Sequence, residues 1–175
     1  MQTYSEILFI LSTNQHPAKF IDCPFSSCSE ISLLISLMLC ESVFTLTNIL
    51  ICRYAKHPAL LGIELLNEPS AGTVSLDVLI PYYKQGYQIV RKYSSSAYVI
   101  ICQRIGVADP LELYQTNIGS HNIVLDLHFY NLFDPFFVNM SAVDNIQYIY
   151  KSREGQLQAL NNSDGPLVLV GKTNI

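Results

Sequence analysis

Leu60-Leu61-Gly62-Ile63-Glu64-Leu65-Leu66-Asn67-Glu68-Pro69 is the stretch from which the rest of the chain is read. A short apolar run halted by Pro reads as a strand near 61–67 buried on both faces, the kind found in parallel sheets. Glu64 lies inside the run and Glu68 four residues on, so strand alternation points both to one face. In a β/α barrel the groups that do chemistry stand at the C-terminal ends of strands. Asn67-Glu68-Pro69 is therefore a candidate site, with Glu68 as a carboxyl at a strand tip. The tripeptide alone also suits a plain turn, Pro stopping the strand and Asn capping it. The flanking elements decide between the two.

Downstream, Ser70-Ala71-Gly72-Thr73 reads as a turn and Ser75 as the cap of a helix near 75–93, with Asp77 in its first turn. Pro81 is a point where that helix bends or restarts. Leu79, Tyr83, Gly86, Tyr87 and Val90 recur at helical spacing and read as core. Ala97 to Cys102 is a second buried strand, and Asp109-Pro110 opens a short segment. A third strand runs from Ile123 to His128, a polar helix from 141 to 160 and a fourth strand from 166 to 171. Val143, Ile146, Ile149 and Tyr150 are the expected inward face of the second helix. This alternation predicts an α/β fold with a parallel sheet. It also brings three tips to one edge: Asn67 with Glu68, His128 with Tyr130, and Lys172 after Gly171. His128 and Tyr130 are two apart and share a face. A lone His after an apolar strand is more often structural, but its place at a tip beside Tyr130 makes it a site candidate.

Upstream, residues 1–52 have a different texture and form a separate N-terminal segment, against an α/β domain over 53–175. Residues 31–52 are long enough to span a membrane. Glu41, several Ser and Thr, and the lack of a basic flank before Arg53 favour a buried segment over an anchor. Met1-Gln2-Thr3-Tyr4-Ser5-Glu6 has no basic region of the signal-peptide kind.

Of the 175 residues, half are hydrophobic, 14% are charged and the net charge is −4. That balance excludes nucleic acid as an electrostatic partner. Five cysteines, at 23, 28, 40, 52 and 102, lack paired spacing, so they read as thiols and no metal or cofactor is called for. Asn139-Met140-Ser141 and Asn161-Asn162-Ser163 match the glycosylation acceptor pattern and fit a secretory route, although such triplets also arise by chance. Eleven Tyr and eight Phe, without Trp, suit either an ordinary core or stacking on a sugar.

Taken together, the three tips resemble glycoside hydrolase family 5, in its exo-β-1,3-glucanase (glucan 1,3-β-glucosidase) branch. Leu61 to Pro69 resembles the fourth strand of that barrel, where the glutamate of Asn-Glu-Pro is the acid/base. Val124-Leu125-Asp126-Leu127-His128-Phe129-Tyr130 resembles the sixth, whose His-x-Tyr lines the sugar site. Gly165-Pro166-Leu167-Val168-Leu169-Val170-Gly171 resembles the seventh, which in the family continues into Glu-Trp with the nucleophile. The resemblance covers about Arg53 to Gly171. It implies strands four to seven of a TIM (β/α)8 barrel, a secreted or cell-wall protein and a β-glucan or related polysaccharide as partner. It also implies a retaining hydrolase, with Glu68 as acid/base, Asn67 on the sugar 2-hydroxyl, and His128 and Tyr130 as substrate-binding residues. Two departures accompany it. Lys172 stands at the nucleophile position, and a full barrel takes about 250 residues. The expectation is a partial barrel without turnover of its own. The alternatives are a carbohydrate-binding remnant and a partial chain without function.

Overall fold

The computed structural model describes residues 8–13, 16–21, 33–106, 108–109, 111–132 and 135–174, with side chains from Phe44 to Thr173. Four parallel strands carry the site: β3 (Leu60–Glu64), β4 (Tyr98–Cys102), β5 (Ile123–Tyr130) and β6 (Leu167–Asn174). Ahead of them, β1 (Leu8–Thr13) and β2 (His16–Ile21) form an antiparallel hairpin, and β1 pairs antiparallel with β3. The sheet order is β2-β1-β3-β4-β5-β6. The hairpin covers the edge of β3, which would otherwise expose unpaired backbone groups. Ser26 to Ser29, Cys23 and Cys28 lie outside the described residues.

The helices are α1 (Leu33–Tyr54), α2 (Leu76–Arg91), the short α3 (Glu112–Gln115), α4 (Ala142–Tyr148) and α5 (Glu154–Ala159). Helix α1 runs through residues 52 and 53, where the composition changes, and Phe44 stacks on Tyr82 of α2 with centroids 5.1 Å apart. Among the described residues no helix is long and apolar enough to cross a membrane. Pro81 sits within α2 without ending it.

Period-two alternation sorts the sheet into two faces. Ile63, Leu65, Val99, Ile101, Ile123, Leu125 and Leu127 join Leu79, Tyr83, Ile89 and Val90 of α2 in one apolar core. Glu64, Cys102, Asp126 and His128 take the intervening positions, and all four are buried on the opposite face. The Tyr-bearing stripe of α2 is core, as expected, and Tyr83 donates its hydroxyl to Cys102 O.

Two expectations are corrected. Strand β3 ends at Glu64 rather than near residue 67, and the chain turns through Glu68 at φ 48°. The expected inward face of the second helix is also displaced: Val143, Ile146 and Tyr150 are exposed. A π-helical turn, Ile149–Arg153, joins α4 to α5. That turn follows Val143 and Ile146 and does not account for their exposure; the half-buried positions are Asn145, Tyr148, Ile149, Ser152 and Arg153, a helical stripe beside the expected one. Arg153 lies over Phe129, 4.5 Å from the ring centroid, and Leu160 is buried.

Candidate active site

The tips of β3, β5 and β6 converge as the sequence suggests. Glu68 Oε1 lies 2.7 Å from His128 Nδ1 and accepts a hydrogen bond from the Tyr130 hydroxyl. Lys172 Nζ donates to Asn67 Oδ1 at 2.8 Å and stands 3.7 Å from Glu68 Oε1. The five residues read as a site from sequence are thus one constellation. Glu68 reaches it through its left-handed backbone and not through continued strand alternation.

A bulge in β6 aims Lys172. The register pairs Leu127 with Val170 and then His128 with Lys172, so Gly171 is an extra residue on β6. Before the bulge, Val168 packs on the apolar core. Simple alternation would send Lys172 to that same face. The inserted Gly171 reverses the parity and turns Lys172 toward Asn67. Gly171 N–H donates to Asp126 Oδ1 at 2.7 Å, and a Cβ at Gly171 would collide with that carboxylate.

Sequence reading missed three contributors. Asp126 Oδ2 is 3.2 Å from His128 Nε2, so both ring nitrogens face carboxylates and the ring is held as a doubly protonated imidazolium. Cys102 Sγ accepts from Glu68 N–H at 3.3 Å and lies 3.7–3.8 Å from the two ring nitrogens. Gln103 Nε2 donates to His128 O at 2.8 Å. The same-face rule that joined His128 to Tyr130 also reaches Asp126, two residues earlier.

The electrostatics follow from these contacts. The His128 hydrogen bond, then Tyr130 and Lys172, outweigh burial and bring Glu68 down to about 2. Lys172 is thus not the main cause of that depression. Burial disfavours a charged His128, but Asp126, Cys102 and Glu68 prevail and push it up to about 11. Burial, followed by the Glu68 contact, raises Tyr130. Burial raises Cys102 as well. Burial and then Asp126 push Glu64 up to about 7, against the pull of His128 and Lys172.

Glu64, Cys102 and His128 place one potential donor atom each within 4.8 Å of one another. An imidazolium has no free nitrogen lone pair to give a metal, so an ion bound there would first have to displace a proton from His128.

The profile of the Cellulase family (glycosyl hydrolase family 5) matches residues 44–171. The chain belongs to glycosyl hydrolase family 5. Its resemblance to the glucan 1,3-β-glucosidase branch is supported by curated relatives. A Glucan 1,3-beta-glucosidase from Yarrowia lipolytica is 33% identical over 75 residues, 42% of this chain and 18% of that protein. Glucan 1,3-beta-glucosidase 2 of Wickerhamomyces anomalus is 31% identical over 87 residues, 50% of this chain and 20% of its own length. The chain therefore spans about a fifth of the length of these family 5 relatives.

Solved family 5 structures give the same fold. The catalytic domain of the major endoglucanase from Xanthomonas campestris superposes with a TM-score of 0.55 at 17% identity, covering 77% of this chain and 44% of that one. A Thermobifida fusca endoglucanase catalytic domain in complex with cellotetraose gives 0.54 at 19% identity, covering 79% and 41%. The four parallel strands with their helices are part of a TIM barrel, as the sequence implies.

Proposed function

We propose that this family 5 chain carries the acid/base side of a β-1,3-glucan glucosidase site, and that it holds glucan without cleaving it. The observation that carries the reading is Glu68, a half-buried carboxyl gripped by His128 and Tyr130 with a lysine at 3.7 Å. The substrate class comes from the names of the relatives.

A retaining glycosidase uses two carboxyl groups about 5–5.5 Å apart. One attacks the anomeric carbon to form a glycosyl ester while the other protonates the departing oxygen; water then hydrolyses the ester, with the second group acting as base. Glu68 is the acid/base in this reading. Asn67 orients the sugar 2-hydroxyl, and His128 and Tyr130 fix the carboxyl and the sugar. Lys172 opposes turnover twice. An ammonium cannot form the ester, and its charge helps keep Glu68 ionised, with no proton to give. A carboxylate in its place would supply the attacking group and raise Glu68 by like-charge repulsion.

The test is release of aryl leaving group from an aryl β-glucoside by four proteins: the chain as it stands, Glu68→Ala, Lys172→Glu, and Lys172→Glu with Glu68→Ala. A parallel isotherm with a β-1,3-linked glucan oligosaccharide reads binding. The expected result is binding without turnover by the unmodified chain, lost on Asn67→Ala. Turnover by the unmodified chain that vanishes with Glu68→Ala would overturn the negative part. Lack of any glucan binding would overturn the rest.

A further inference from the structure

We propose that Glu64 is a positioning residue of this site, storing a proton inside the strand bundle and thereby leaving the carboxylates of Asp126 and Glu68 balanced against the cations of His128 and Lys172. The proposal rests on the reading of Glu68 as the working carboxyl. It deepens that reading by assigning the near-neutral titration of the site to a different residue.

Glu64 is the last residue of β3 and shares the inner face with Asp126 and His128. It is 1% exposed, and its Oε1 has no hydrogen-bond partner among the described residues. An ionised carboxylate enclosed in that way is costly unless paired, whereas a protonated one is tolerated. Among the described residues, the titratable groups that act on it come from both faces of the sheet and from the chain beyond β3. They are Asp126 and His128 of β5, Lys172 of β6, Glu68 beyond β3, Cys102 of β4 and Tyr83 of α2.

The charges decide which form fits. With Glu64 neutral, the carboxylates of Asp126 and Glu68 balance the cations of His128 and Lys172. Ionising Glu64 leaves one uncompensated negative charge in a nearly closed space. The surplus field then favours a proton on Glu68 and unbalances the grip on His128. Glu64 is pushed up to about 7 while Glu68 is held at about 2, so across neutral pH the charge that changes is the interior one. Glu68 and His128 feel that change through space.

The experiment is nitrogen NMR of the His128 ring in the unmodified chain from pH 5 to pH 9, without sugar. Both ring nitrogens are expected to stay protonated, with a step in their shifts centred at about pH 7. Glu64→Gln keeps the shape and a neutral side chain, so it removes the step and leaves the ring an imidazolium. Infrared spectra of glutamate-labelled unmodified chain supply a second reading that needs no variant. A protonated-carboxyl band should disappear over the same interval. A step that survives Glu64→Gln, or no such band at pH 6, would overturn the proposal. No sugar is present, so failure here leaves the glucoside assay untouched, and failure of that assay leaves the titration standing.

Discussion

Replacing Asp126 with Asn removes one negative charge from beside a buried cation while leaving an oxygen for Gly171 N–H. Asp126 is 5% exposed and serves two strands at once, His128 Nε2 at 3.2 Å within β5 and Gly171 N at 2.7 Å on β6. Removing one partner of a buried charge pair costs about 3–5 kcal/mol. His128 keeps Glu68 on its other nitrogen, and the amide still accepts from Gly171, which sets the expectation for Asn at the lower end, about 3 kcal/mol. Asp126 is the largest of the contacts that raise His128, so its loss also lowers the ring's proton affinity, and shedding the proton limits the cost to that lower end. Asp126→Ala also orphans the Gly171 amide, a further cost of about 1–3 kcal/mol. Urea unfolding followed by far-ultraviolet circular dichroism at pH 7 reads both variants against the parent. An Asn variant within 1 kcal/mol of the parent, or an Ala variant no worse than Asn, would refute the two-strand role of Asp126.

Stability should depend on pH with a worked sign. Glu68, depressed from 4.5 to about 2, contributes stability that is present above pH 4.5 and lost toward pH 2. Glu64, raised to about 7, keeps its folded-state proton while the unfolded chain ionises, so stability falls from pH 4.5 to 7. His128, raised from 6.5 to about 11, stabilises fully below pH 6.5 and loses that contribution toward pH 11. The melting temperature is therefore expected to peak near pH 4.5–5 and fall through pH 8; a maximum at pH 8 or above contradicts the assignments of Glu64 and His128. Lys172→Glu should raise the proton affinity of Glu68, visible as an upward shift of its carboxyl titration by carbon NMR. Gly171→Ala forces a Cβ onto the Asp126 carboxylate, and such overpacking costs about 1–3 kcal/mol; a stability change below 0.5 kcal/mol in urea unfolding would show that β6 yields freely there.

What the sequence determined by itself is the set of elements and the edge on which the chemistry stands. Apolar runs stopped by Pro or polar residues mark β3 to β6 in order, and the period of two places His128 and Tyr130 on one face, because both are local properties of an extended chain. The family was legible for the same reason: Asn67-Glu68-Pro69, His128 with Tyr130, and the run to Gly171 are short motifs in a required order. Tertiary structure alone decided the rest. The Gly171 bulge that turns Lys172 inward, the π-helical turn between α4 and α5, and the left-handed Glu68 each break a simple period. Periodic counting cannot announce its own interruptions. The pairing of His128 with two carboxylates, and the lack of a hydrogen-bond partner for Glu64 Oε1 among the described residues, depend on which strands lie side by side. Those distances span up to 60 residues of chain, and no local pattern encodes the field that they create.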